Sequence, residues 1–191
     1  MVSNVTIAAG KKSFPLIDLE ILLTSLPIEK DSVILDVACG SGAYVLAMAP
    51  LCPNGKIFAF DLWEAGVEEL INKVMTKVFT CVVPRIADPC SLPLGNGTID
   101  ICLMATLFHD LVQKGSDRDS LREIGRVLKP DGLLAVVEFK KIVAHPGPPL
   151  EISISPARLD KILRFSGFTS ASTQKIDLGV YTYLALYHPA A

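Results

Sequence analysis

The run Val33-Ile34-Leu35-Asp36-Val37-Ala38-Cys39-Gly40-Ser41-Gly42 ends an apolar stretch in a carboxylate and continues in small residues. Such a run lets a backbone come close to a ligand, because Gly40 and Gly42 carry no Cβ and accept sharp turns. Asp61 follows Asp36 by 25 residues. That spacing fits an acid that accepts both hydroxyls of a ribose, with Leu62 or Trp63 laid on one face of the base. The competing reading of Asp61 is a helix N-cap. A third carboxylate stands in Ile86-Ala87-Asp88-Pro89-Cys90-Ser91-Leu92-Pro93-Leu94. Asp88 there accepts a purine exocyclic amine, or else closes an Asx turn around Pro89.

The choice of ligand turns on charge. A dinucleotide pyrophosphate is an anion that sits on a helix N-terminus. Val45 stands where GxGxxG needs its third glycine, and Asp36 would face the phosphates with like charge. S-adenosylmethionine carries no phosphate, and it brings an ammonium and a sulfonium that a carboxylate suits. A nicotinamide-linked oxidoreductase is therefore the disfavoured alternative. After the next apolar run the chain reads Ala105-Thr106-Leu107-Phe108-His109-Asp110. His109 is either a general base at the rim or a helix-start histidine bonded to backbone. Glu138 also has the position of a pocket residue. Phe14, Leu107 and Phe108 are apolar candidates for an acceptor pocket. Methyl transfer from a sulfonium depends on alignment and exclusion of water, so the want of an evident base is no objection. An Asn-Pro-Pro-Tyr-like block and a two-glutamate loop are absent, and the cysteines are too dispersed for arsenite chemistry.

The elements that would hold these residues alternate helix and strand, as in a parallel α/β sheet. A first helix begins near Pro15, with Leu16, Leu19, Leu22, Leu23 and Leu26 on one face. Strands are expected over 32–37, 56–60, within 80–87, over 99–105 and over 133–139. A helix over 42–49 stops at Pro50. Others carry Val67, Leu70, Ile71 and Val74, and Leu121, Ile124, Val127 and Leu128. Lys129-Pro130-Asp131-Gly132 reads as a turn. A Pro- and Gly-rich loop over 144–150 leads to a helix capped by Ser155, started by Pro156 and ended by Gly167. The tail over 168–187 alternates and turns at Gly179, a hairpin.

With 191 residues, 50% of them hydrophobic and 20% charged, the chain is a single packed domain. A net charge of −2 gives no grip on a phosphate backbone, so nucleic acid is not the expected partner. The mean hydropathy of +0.44 fits strands buried on both faces, with a pocket or a homodimer face accounting for the rest. No apolar run reaches the length of a membrane span. Residues 1–12 have the wrong order for a signal peptide. Five cysteines without a CxxC pair read as reduced thiols of the cytoplasm.

Three blocks in order, Asp36 to Gly42, Asp88…Leu92-Pro93-Leu94…Asp100, and Arg126-Val127-Leu128-Lys129-Pro130-Asp131-Gly132, resemble the type 11, ubiquinone/menaquinone-biosynthesis-like family of class I methyltransferases. The resemblance runs from about Val33 to Phe139. It implies a Rossmann-like, seven-stranded, mostly parallel sheet with helices on both faces and a C-terminal antiparallel hairpin. Residues 1–31 would form a helical cap and 32–191 the core. It also implies S-adenosylmethionine as cofactor and S-adenosylhomocysteine as product. The expected acceptor is a small, largely apolar molecule, since only the first helix and the 144–150 loop remain to cap a site, and no metal is expected. Cofactor contacts are implied at Asp36, Ala38, Gly40, Asp61, Leu62, Asp88 and Ala105, with Cys39, Gly42 and Pro89 beside them. Ala38 stands where many members have glycine, and Leu94 where many have Phe. A non-catalytic S-adenosylmethionine-binding scaffold is the other reading.

Overall fold

The computed structural model describes residues 13–77, 79–143, 146–172 and 175–190. The expectations for residues 1–12, 144 and 145 fall outside them. Eight strands form one sheet: β1 (Val33–Val37), β2 (Lys56–Asp61), β3 (Val82–Ile86), β4 (Ile99–Ala105), β5 (Leu128–Phe139), β6 (Phe168–Ser170), β7 (Ile176–Asp177) and β8 (Thr182–Pro189). Their order is β3-β2-β1-β4-β5-β8-β6, with β7 also on β8. The first five are parallel, and β8 runs antiparallel to β5. Both β6 and β7 pair with β8, at Phe168↔Pro189 through Ser170↔Tyr187 and at Ile176↔Leu184 and Asp177↔Tyr183. They share the seventh position as one interrupted strand, so the expected seven-stranded sheet and its terminal hairpin are both present.

Strand order reverses between β1 and β4, and in open α/β sheets the ligand crevice lies beyond the strand carboxyl ends at that switch point. Alternation along each strand divides the apolar residues between two faces. One face holds Ile34, Ile57, Leu103 and Val137 under α2 (Ala43–Met48) and the N-terminal residues Ile17, Leu22 and Leu26. The other holds Leu35, Phe60, Met104 and Val136 under α4 (Phe108–Lys114), α5 (Asp117–Val127) and α6 (Pro156–Phe165). The cap, start and stop of α6 follow the expected signals: Ser155 accepts from the Arg158 N–H and Gly167 has φ +83°.

Two expectations are corrected. The first helix is two pieces, a 3₁₀ turn over Phe14–Leu16 and α1 (Leu19–Thr24). Ile17 is extended and Asp18 restarts the helix by accepting the Ile21 N–H, so the cap residue divides the leucine stripe. Lys129-Pro130-Asp131-Gly132 is a bulge inside β5 rather than a turn before it. Ile99 pairs with Leu128 and Ile101 with Leu133, so four residues stand opposite Asp100 alone. Asp100 stabilises the bulge by accepting from Lys129 Nζ and from the Val33 N–H. A Cβ at Gly132 would lie 3.0 Å from the Ile99 and Lys129 carbonyls.

Candidate active site

The loop after β1 is built from backbone conformations that side chains resist. Ala38 has φ +61°, Gly40 +54° and Gly42 +79°. For alanine the left-handed conformation costs about 1–2 kcal/mol. Gly40 faces open space, since nothing lies within 4 Å of a Cβ built there. Gly42 faces protein: its Cβ would stand 2.2 Å from Leu70 of α3 (Glu64–Lys77). One glycine therefore leaves room for a ligand and the other lets α2 approach α3.

Asp61 closes the loop from the neighbouring strand. Its carboxylate accepts the Gly40 N–H at 2.7 Å and the Trp63 N–H at 2.7 Å. Each oxygen keeps a further lone pair for a ligand hydroxyl. The Trp63 ring folds onto Gly66, where a Cβ would meet it at 2.3 Å. That commits Trp63 to its own helix and leaves Leu62, 51% exposed, as the apolar side chain open to a base. Asp88 is exposed and accepts the Cys90 N–H at 2.8 Å, the Asx turn weighed above, with Pro89 inside it. Cys39 is buried, and its sulfur faces the Gly40 carbonyl at 3.6 Å. Ala105 is buried at the end of β4, across the crevice from the loop.

Asp36 is the anomaly. It is 1% exposed, and among the described residues neither carboxylate oxygen has a hydrogen-bond partner. Burial, with the Asp61 charge beside it, pushes its carboxyl well above the usual carboxylate range. A buried acid without a donor is costly unless something else neutralises it. A cationic ligand fits that deficit, and a phosphate would deepen it.

At the other side of the crevice, His109 and Glu138 come together. The backbone N–H of His109 donates to Glu138 Oε1 at 3.1 Å, and its Nδ1 lies 3.0 Å from both oxygens. Glu138 is fully buried and also accepts the Phe139 N–H. The imidazole Nε2 stands 3.7 Å from Asp110. His109, 6% exposed, is thus neither an open rim base nor bonded to a backbone carbonyl through Nδ1. It ties the start of α4 to β5. Phe108 is a second correction: it is fully buried among Leu35, Met104 and Leu121. Phe14 packs on the opposite face of the sheet, edge-on to Tyr44 at 5.1 Å. Phe14 and Leu107 are half-buried.

Sequence spacing gave no sign of two other arrangements. Arg126 donates to the carbonyls of Leu92 and Leu94 and to Glu123, which accepts the Leu92 N–H. The Arg126 block is therefore a clamp on the loop after β3. Hydroxyls of Ser13, Tyr44 and Thr106 also meet across the crevice. Thr106 has φ +53°, an unusual conformation for a β-branched residue. Among the described residues no cluster of His, Cys, Asp or Glu is arranged to hold a metal, and no helix is long and apolar enough to cross a membrane.

The sequence has relatives. A methyltransferase-like protein of Schizosaccharomyces pombe is 27% identical over 129 residues, covering 68% of this chain and 46% of that protein. The ubiquinone/menaquinone biosynthesis C-methyltransferase UbiE of Cupriavidus metallidurans is 31% identical over 115 residues, covering 57% of this chain and 44% of that one. The chain thus spans under half the length of these two curated relatives. A crystal structure of a SAM-dependent methyltransferase from Aquifex aeolicus superposes with a TM-score of 0.85 at 26% identity, over 95% of both chains. The [4+2]-cyclase SpnF has the same fold, with a TM-score of 0.76 at 17% identity over 91% of this chain and 80% of that one. The methyltransferase-domain profile matches residues 35–136, just over half of the sequence. The chain belongs to the type 11 family of class I methyltransferases, whose methyl donor is S-adenosylmethionine.

Proposed function

We propose that this chain transfers a methyl group, in line, from S-adenosylmethionine to a small and largely apolar acceptor. The observation that carries the reading is Asp36, buried and without a donor beside the open space at Gly40. An ammonium or sulfonium relieves that charge deficit. In this reading Asp36, Ala38, Cys39, Gly40 and Gly42 form the cofactor loop. Asp61 accepts ribose hydroxyls, Leu62 covers the base, Asp88 and Pro89 flank its amine, and Ala105 forms the far wall. The cofactor supplies a methyl already activated on sulfur with a neutral leaving group. The chain's part is then to align the acceptor and exclude water. His109, held by Glu138, positions the β4–α4 junction and is not assigned a proton-transfer step.

The acceptor is assigned from the surroundings. Phe14 and Leu107 are half-buried apolar residues, and the net charge of −2 offers no steering to a polyanion. The same reading puts the protein in the cytoplasm, where its five free cysteines stay reduced.

Calorimetry with S-adenosylhomocysteine tests the cofactor half. Binding in the micromolar range, about 7–8 kcal/mol, is expected, and NAD should give no heat. Labelled S-adenosylmethionine is then offered with quinols, phenols and thiols, a quinol first because the UbiE relative is named for quinone biosynthesis. Binding without transfer to any acceptor would make the protein a scaffold. Methylation of protein or RNA alone would overturn the small acceptor.

A further inference from the structure

The Ser13, Tyr44 and Thr106 hydroxyls stand across the crevice mouth, one each from the N-terminal segment, the first turn of α2 and the end of β4. Thr106 Oγ1 donates to Ser13 Oγ at 3.0 Å, and Ser13 Oγ is 3.1 Å from Tyr44 Oη. Three hydroxyls bring three protons, and these two bonds use two. If Ser13 donates to Tyr44, the phenol proton is left over; if Tyr44 donates, the serine proton is. Either way one donor has no acceptor among the described residues. Tyr44 is 7% exposed. Burial raises its phenol above the ordinary value, the Ser13 hydrogen bond opposes that and the Asp36 carboxyl adds to it, so the phenol keeps its proton.

A buried, unused O–H is unfavourable unless a ligand accepts from it. We infer that this hydroxyl chain is a recognition element for a neutral oxygen, a carbonyl or alcohol, on the otherwise apolar methyl acceptor. The inference rests on the methyl-transfer reading and specifies its substrate class. The oxygen is a neutral one because an anion there would need a counter-charge, and Phe14, Leu107 and Ala105 supply none. An oxygen set among Phe14, Leu107 and Ala105 would be held by one directional bond, and that bond would orient the acceptor toward the methyl group.

The test compares two probes of equal size, acetophenone and α-methylstyrene, on the full chain saturated with S-adenosylhomocysteine, by ligand-observed NMR titration. Acetophenone should bind about fivefold more tightly, the scale of one neutral hydrogen bond. The preference should survive Tyr44→Phe, which leaves the Ser13 proton, and fall below about twofold in the triple variant Ser13→Ala/Tyr44→Phe/Thr106→Val, which removes all three hydroxyls. Both variants should keep their melting temperature and S-adenosylhomocysteine affinity, so a folding defect is visible separately. The inference is overturned if neither probe binds, or if the preference survives the triple substitution. It is equally overturned if Tyr44→Phe weakens S-adenosylhomocysteine instead, which would give the donor to the cofactor. A wild-type chain that binds no S-adenosylhomocysteine removes the underlying reading before any probe is added.

Discussion

Asp36 and Glu138 are both carboxylates inside the sheet, in β1 and β5, with exposures of 1% and 0%. Their surroundings are opposite. Glu138 receives the His109 N–H, the His109 ring and the Phe139 N–H, while Asp36 receives nothing. The pair separates two uses of a buried charge. A carboxylate supplied with donors fastens elements together, and one left without them is, in the proposed function, held ready for a ligand. The neighbouring backbone repeats the contrast. Gly40 opens onto free space, and Gly42 is filled by Leu70.

The sharpest way to break this comparison is Glu138→Ala. It removes the acceptor of the buried His109 ring and of the His109 and Phe139 N–H groups, so a loss of about 3–5 kcal/mol is expected in urea unfolding. A loss under about 1 kcal/mol would show that Glu138 fastens nothing. Gly42→Ala comes next, at about 2–3 kcal/mol, from overpacking added to an unfavourable φ. A compensating Leu70→Ala should recover only the steric part.

Asp36→Asn should do the reverse of Glu138→Ala: weaken S-adenosylhomocysteine by about 10- to 100-fold while leaving the empty protein as stable or more so. Its pH dependence carries the sign. Burial and Asp61 raise the Asp36 carboxyl in the folded state, so that state holds its proton where the unfolded chain has released it. The contribution to stability is complete below the unfolded value of about 3.9 and declines as pH rises toward the folded value. Urea titrations of the ligand-free wild type should lose stability over that window relative to Asp36→Asn, and a parallel pair of curves would show that Asp36 is not the acid concerned. The smallest effect is expected of Ala38→Gly. Relief of φ +61° should gain up to about 1 kcal/mol, offset in part by the entropy of glycine. A measurable destabilisation would mean that the alanine methyl packs usefully in the loop.

Much of the fold was legible because it is written in local terms. The β4 bounds, the α6 cap and stop, and the β1–loop–α2 passage each follow from contiguous residues with short-range preferences. The same holds for the order of the three family blocks. Where the reading failed, a longer-range contact decided. The 129–132 turn became a bulge because β4 pairs with β5 on either side of it, at Leu128 and from Leu133 onward, and local turn chemistry yields to that ladder. Phe108 looked like a pocket residue, but α4 docks with it against α5 and β4. His109, read as either a base or a helix-start histidine, stands at the start of α4, and Glu138, 29 residues later, holds both its ring and its backbone.

The sequence alone determined that carboxylates stand near the carboxyl ends of strands β1 and β2 and just past β3 and that glycines open the first loop, since chain order and residue type set those. Which carboxylate would be satisfied, and which left bare, belonged to the tertiary structure. Hydrogen-bond donors reach Asp61 from Gly40, 21 residues away, and reach Glu138 from His109, whereas none reaches Asp36. A donor's presence within 3 Å of a buried oxygen depends on how strands and helices pack, and that distance has no counterpart in sequence separation.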